Sequence, residues 1–293
     1  MAIVRRQPGR LVGWLVLLVL LVGGVPAGAL ASRQAVFRPL RQYLLEHGFS
    51  RHELDRVFRD RRLRFEAKVL ARMLSVREVS LNYRQFLAKK VRSQAQRFLR
   101  KHRGAFARAK KLTKVPPEVV VAILSVETRL GRYTGRHLAF NVLASQAVLD
   151  SRAARRLLEP YWPAKRRKAL YSKKNTKRFA RRARWARQEV VALLKLARQR
   201  GVSPFALKGS PAGALGMAQF VPSSILHYGC DGNQDGVVDL GHPEDAILSV
   251  ATYLKQNGWR PGLSHQRQLK VILTYNNSRP YAETVLALAR RLR

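Results

Sequence analysis

The sequence predicts a mainly α-helical protein with at most a small β-sheet. Apolar residues recur every three or four positions over long stretches, and prolines and glycines fall where helices would start and stop. Only residues 203–241 are dense in Gly, Pro and Ser, the composition of loops with short pieces between them. The 293 residues suffice for one large domain or two modest ones, and 46% apolar and 25% charged content is ordinary for a globular chain.

Residues 1–31 read as a secretory signal peptide. Arg5, Arg6 and Arg10 form a basic start, Leu11 to Val22 is apolar, and Ala29-Leu30-Ala31 offers small residues for cleavage before Ser32. The alternative is an uncleaved membrane anchor. The apolar run is short against the roughly 20 residues of a span, and Gly23, Gly24 and Pro26 break it. The expected location is therefore the periplasm, as a soluble exported protein. No cysteine near the cleavage site offers a lipid anchor. The single cysteine, Cys230, cannot form an intrachain disulfide and reads as a small filler rather than a catalytic thiol.

A helical N-terminal region is expected over residues 32–111. Ser50-Arg51-His52-Glu53 has the form of a capping box, and Leu54, Val57 and Phe58 then fall on one helix face. A further helix fits residues 82–103 and would end near Gly104. Pro116 and Pro117 open the next helix, Glu118 to Leu130, with Gly131 as its C-cap. Residues 178–200 form a basic amphipathic helix. Phe179, Ala183, Ala186, Val190, Leu194 and Ala197 lie on its inner face, and Arg178, Arg181, Arg182, Arg184 and Arg187 on its outer face. Pro243 to Gln256 and Tyr281 to Arg291 complete the helices.

Glu127 stands in the last turn of a helix that is apolar on nearly every face from Val119 to Val126. Burial disfavours the charged carboxylate, as does the negative end of the helix dipole. A raised pKa suits a general acid near neutrality. A glutamate paired with Arg129 or Arg132 at a helix end is the structural alternative.

Ser125-Val126-Glu127-Thr128-Arg129-Leu130-Gly131, then Gly213-Ala214-Leu215-Gly216-Met217-Ala218-Gln219-Phe220, then Thr274-Tyr275-Asn276 occur in that order. Together they resemble the lytic murein transglycosylases of lysozyme-like fold, membrane-bound lytic transglycosylase B type. The likeness extends through Val115-Pro116-Pro117-Glu118 and Leu207-Lys208-Gly209-Ser210, and on to Gly258-Trp259. The resemblance implies a lysozyme-like core over residues 112–293 and cleavage of the MurNAc-GlcNAc β-1,4 bond of peptidoglycan with formation of 1,6-anhydro-MurNAc ends. It implies Glu127 as the catalytic acid and base. Ser210 and Gln219 would line the sugar groove, Tyr275 and Asn276 would complete it, and Tyr83, Tyr253 and Tyr281 would be groove tyrosines. Each tyrosine alone fits a core position better than a ligand contact. A ring that stacks and a hydroxyl that bonds suit a sugar. No second acid lies in the matched motifs, whereas ordinary glycosidases use two.

Asp231-Gly232-Asn233-Gln234-Asp235-Gly236 fits the opening of a calcium loop, with oxygen ligands at alternate positions and a glycine for the sharp turn. Position twelve is His242 instead of glutamate. The family's longer loop implies closure by Asp245, with the Val237 carbonyl as a further ligand, so a structural Ca2+ is expected over residues 229–245; Asp239 is a secondary candidate. An Asn/Asp/Gly turn without metal is the alternative. No organic cofactor is expected. Two departures from the family stand out. Only residues 260–274 separate Trp259 from Tyr275, where an insertion is common, and Leu130 stands where tryptophan often follows the E-T-R motif.

Charge is extreme and uneven. Residues 32–200 carry 45 basic against 11 acidic side chains, a balance of +34, while residues 201–293 balance at +3. Such a field favours polyanions. The expected partners are peptidoglycan glycan strands and, secondarily, anionic envelope polymers. No specific nucleic acid partner and a monomeric state are expected. Three other functions compete: a hydrolytic muramidase, a wall-binding protein with a decayed site, and a secreted polyanion-binding protein.

Overall fold

The computed structural model describes residues 35–75 and 82–293; the segment 1–31, expected to be a signal peptide, lies outside them. The N-terminal region holds α1 (Arg38–Glu46), α2 (Arg51–Phe58), α3 (Ala67–Ser75), a 3-10 turn (Tyr83–Leu87), α4 (Lys89–Lys101) and α5 (Arg103–Thr113). Ser50 caps α2 by accepting from the Glu53 amide, as its position predicts. The Glu53 carboxylate does not reach back to close the box; it pairs with Arg198 at 2.8 Å.

The single helix expected over 82–103 is two elements. The backbone is extended at Ala88, between the 3-10 turn and α4. Gly104 does not end a helix but sits in the first turn of α5, where the backbone N–H needs no intrahelical partner. Phe98 packs tilted against His102 and edge-on against Phe106 across the α4–α5 break.

Helix α6 (Pro117–Thr128) begins at its prolines and is buried almost throughout. It ends two residues before the expected Leu130. Arg129, Leu130 and Gly131 all have positive φ (49°, 61° and 87°). For the two non-glycine residues this costs about 1–2 kcal/mol each. The Arg129 and Leu130 amides close the helix end on Ser125 O and Leu124 O, at 3.1 and 3.0 Å.

Strand β1 (His137–Leu138) leads into α7 (Ala139–Ala147) and α8 (Arg152–Leu158), and two 3-10 turns reach α9 (Lys173–Gln199). Ser172 caps α9, which therefore starts earlier than the expected residue 178. The inner face is buried as predicted. The outer face is smaller than expected. Arg182 turns inward to Gln146 Oε1 (2.6 Å) and Arg187 to Asp150 (2.5 Å), because these acceptors on and after α7 lie beside α9.

Strand β2 (Lys208–Gly209) pairs antiparallel with β1, and this two-stranded ladder is the sheet of the described residues. Then follow α10 (Pro222–Tyr228), α11 (Pro243–Gln256), α12 (His265–Tyr275) and α13 (Arg279–Arg290). Sequence periodicity did not predict α12; Ser264 caps it, and the residues of 260–274 that follow Ser264 belong to it. One apolar core runs from Val36 to Leu292 and includes residues on both sides of position 111. A smaller cluster joins Leu70, Leu74, Trp162, Leu170 and Phe179. Helix α6 is central, packed against α13, α4, α5 and α11.

Candidate active site

Helix α6 delivers Glu127 to the point where the chain turns out of the core. The side chain keeps partial solvent access, unlike its neighbours Leu124, Ser125 and Thr128. Surrounding protein nevertheless strips most water from the carboxyl. That desolvation pushes its pKa up to about 7, against a smaller opposing effect of the hydrogen bond from Tyr281. Tyr281 donates to Glu127 Oε1 at 2.6 Å across 154 residues of sequence. Tyr281 is 2% exposed in the first turn of α13, and its ring meets Tyr83 edge-on at 6.4 Å. Burial and the Glu127 charge hold the Tyr281 hydroxyl protonated, well above its ordinary pKa.

The helix end is pinned by Thr128. Its hydroxyl donates to Met217 O at 2.9 Å and accepts from the Gly131 amide at 2.9 Å. The Gly-rich segment is thereby tied to the residue after the acid. Gln219, in a left-handed conformation, extends the tie by donating to Thr134 O (3.1 Å) and Gly216 O (2.9 Å). Tyr275, at the end of α12, donates to Ala218 O, and burial followed by the Glu127 charge raises its pKa well above the ordinary value. Tyr275, Tyr253 and Phe220 form an aromatic cluster with ring centroids 5.0–5.7 Å apart. The Tyr253 hydroxyl donates to Thr274 O at 2.6 Å.

Ser210 sits just beyond β2, where its hydroxyl accepts from the Ala212 and Ala214 amides, both at 3.2 Å. The approach of strands here leaves no room for a side chain. A Cβ on Gly135 would lie 2.2 Å from the Gly209 carbonyl. Asn276 follows α12 with its backbone extended, its amide donating to Ile272 O. Hence Glu127, Tyr281 and Tyr83 form one contact group, and Tyr275, Tyr253, Phe220 and Ala218 the next, while Gln219 is tied to Thr134 and Gly216. Sequence reading gave no role to Thr128 or Phe220, nor to Tyr228, whose ring lies 4.6 Å from that of Tyr253. The threonine lies inside the E-T-R motif, but its partner Met217 is 89 residues away. A 540 Å³ cleft lined by Ser50, Glu53, Arg198 and Phe205 lies elsewhere. Glu127 is favoured over it because its carboxyl is the one poised to change charge near neutrality.

The acidic loop folds on its own carboxylates. Asp231 accepts from the Gln234, Asp235 and Gly236 amides, and Asp235 from the Val237 amide and the Asn233 side chain. Those two donors hold the Asp235 pKa below its ordinary value. Asp245, fully buried at the start of α11, accepts from Gly232, Asn233 and Asp239. Among the described residues no three His, Cys, Asp or Glu side chains converge as a metal site. The all-oxygen set nevertheless suits a hard cation, provided Asn233 and the Val237 carbonyl take part.

A lysozyme-like helical core with a lone, desolvated glutamate at a helix end defines the class, and the chain belongs to the transglycosylase SLT domain family, whose profile matches residues 32–271. It is 34% identical over 165 residues to membrane-bound lytic murein transglycosylase B of Escherichia coli; that match covers 56% of this chain but 38% of the relative. The fold matches soluble lytic transglycosylase SltB1 of Pseudomonas aeruginosa with a TM-score of 0.68 and 25% identity, covering 88% of this chain and 98% of that one. It matches the Escherichia coli lytic transglycosylase Slt35 in complex with calcium with a TM-score of 0.68 and 25% identity, covering 88% and 92%. Pseudomonas aeruginosa SltB3, in complex with NAG-anhNAM-pentapeptide, shares the fold at 21% identity and a TM-score of 0.67, covering 88% and 79%.

Proposed function

We propose that the protein is a lytic transglycosylase of peptidoglycan in which Glu127 is the only catalytic carboxyl. The observation that carries this reading is a single glutamate whose pKa is pushed up to about 7 by desolvation, with no second carboxyl among the causes of the shift. A group poised there serves as acid and then as base. Neutral Glu127 gives its proton to the glycosidic oxygen as the C1–O bond breaks. The resulting carboxylate takes the proton of the muramoyl C6 hydroxyl, whose oxygen bonds to C1. A 1,6-anhydro end forms, no water is consumed, and Glu127 ends as it began. With Oε1 held by Tyr281, Oε2 is the atom left to move the proton.

Ser210, Gln219 and Asn276 keep enough exposure to meet a glycan, and Tyr83, Tyr253 and Tyr275 offer ring faces and edges beside it. Export to the periplasm accords with a wall substrate. Among the described residues no helix is long and apolar enough to cross a membrane. Calcium in the loop of Asp231, Asn233, Asp235, Val237 and Asp245 would hold α10 to α11 and is structural in this reading; the calcium complex of Slt35 supports it. The test is digestion of purified peptidoglycan by the wild type and by Glu127→Gln, with product masses read by mass spectrometry. Anhydro-ended muropeptides from the wild type alone are expected. Hydrated reducing ends would make the enzyme a muramidase, and no products from the wild type would leave a wall-binding role.

A further inference from the structure

Residues 152–187 carry 15 basic side chains and one acid, Glu159. That acid is already engaged by the Tyr171 hydroxyl. The segment is one assembly, not a string of independent charges. Arg155 on α8 donates to Thr176 Oγ1 in the first turn of α9 at 2.9 Å, and its guanidinium lies 5.6 Å from the Tyr171 ring centroid. Arg156 and Arg152 are close enough to act electrostatically on Tyr171. Lys165 to Lys168 lie exposed on the turn between them, and Lys173, Lys174, Lys177, Arg178, Arg181 and Arg184 are exposed along α9.

The same segment sets three exposed large apolar side chains among its cations. Leu157 is 43% exposed, Tyr161 53% and Tyr171 37%. Cations beside half-exposed tyrosines and a leucine match a bilayer interface, which offers anionic phosphates to the first and the headgroup–acyl boundary to the second. A soluble polyphosphate-like chain satisfies the charges but covers no apolar group. We propose that the face built from α8, the 3-10 turns and the N-terminal half of α9 docks on an anionic phospholipid membrane, the lipid phosphates pairing with its lysines and arginines. The face lies apart from the Glu127 helix in sequence and in packing, so a membrane-held enzyme keeps its acid free.

The test titrates the full chain with vesicles of phosphatidylglycerol and phosphatidylcholine mixed, and with vesicles of phosphatidylcholine alone. The readout is the ratio of the two apparent partition constants. The apolar run Leu11 to Val22 is common to every sample and cancels in comparisons between variants. Each cation near an anionic surface contributes about fivefold. The triple variant Arg156→Glu, Lys173→Glu, Lys177→Glu should therefore lower the ratio by at least about a hundredfold. Leu157→Ser with Tyr161→Ser, both exposed, should lower binding to the mixed vesicles about tenfold at unchanged charge. An unchanged ratio in the charge variant overturns the proposal. Loss in the charge variant with no loss in the Leu157/Tyr161 variant also overturns it, and parallel loss of polyphosphate binding would then assign the face to a linear polyanion. Thermal melts of each variant separate loss of the face from loss of the fold.

Discussion

Tyr281→Phe isolates the hydroxyl that touches Glu127, the proposed catalytic acid. The ring stays, so its buried packing and its edge contact with Tyr83 are kept, and only the 2.6 Å hydrogen bond to Glu127 Oε1 is removed. That bond favours the charged carboxylate and opposes the larger effect of burial. A hydrogen bond to a charged group is worth about 1.5–3 kcal/mol, and about 1.4 kcal/mol is one pKa unit. The neutral acid retains part of the bond, so the differential effect is about one unit. The first step requires protonated Glu127, and activity is therefore lost as pH rises through its pKa. The alkaline limb of kcat/KM on soluble glycan strands, near pH 7 in the wild type, should move to about pH 8 in the variant. A limb that stays in place, or moves down, would refute the role given to Tyr281. A stability loss beyond about 1.5 kcal/mol would mean the hydroxyl is structural instead.

Other consequences follow from the same contacts. The Glu127 pKa is raised in the folded protein, so folding holds a proton that the unfolded chain releases. The penalty is absent below the unfolded value of 4.5, grows up to about 7, and is complete above it. Glu127→Gln should therefore unfold at higher denaturant than the wild type at pH 8, by up to about 3 kcal/mol, and match it at pH 4; equal curves at both pH values would contradict the desolvated acid. Thr128→Val leaves the Gly131 amide and the Met217 carbonyl without their partner. It should cost about 1–3 kcal/mol in urea unfolding, with kcat falling further as the Gly-rich segment loosens. Calcium at a hundredfold over its Kd should raise stability by about 2.7 kcal/mol. Asp235→Ala should abolish that rise, and a melting temperature indifferent to calcium in the wild type would leave the loop an ordinary turn.

Much of this was legible before folding. The burial of Val119 to Leu124 follows from their unbroken apolar run, and the inner face of α9 from its spacing. Local chemistry also had limits. The left-handed trio Arg129, Leu130 and Gly131 was hidden because only its last member is a glycine, and tertiary ties rather than propensity hold the other two. Helix α12 was hidden because His265-Gln266-Arg267-Gln268 opens it with no apolar stripe. The inward turn of Arg182 and Arg187 depended on acceptors at Gln146 and Asp150, which periodicity on α9 alone does not encode. At the site, position on the helix exposed Glu127, and the folded chain added the cause of its poise. Tyr281 arrives from 154 residues away; the family resemblance implied it as a groove tyrosine, and only packing supplies its bond to Glu127.

The central claim is that one carboxyl suffices because the attacking oxygen belongs to the substrate. Digestion of peptidoglycan in water enriched in heavy oxygen tests this most directly. The account predicts cleaved glycans with anhydro ends that carry no heavy oxygen, made by the wild type and not by Glu127→Gln. Heavy oxygen at C1 of the new ends would show that water is the nucleophile, and would contradict it.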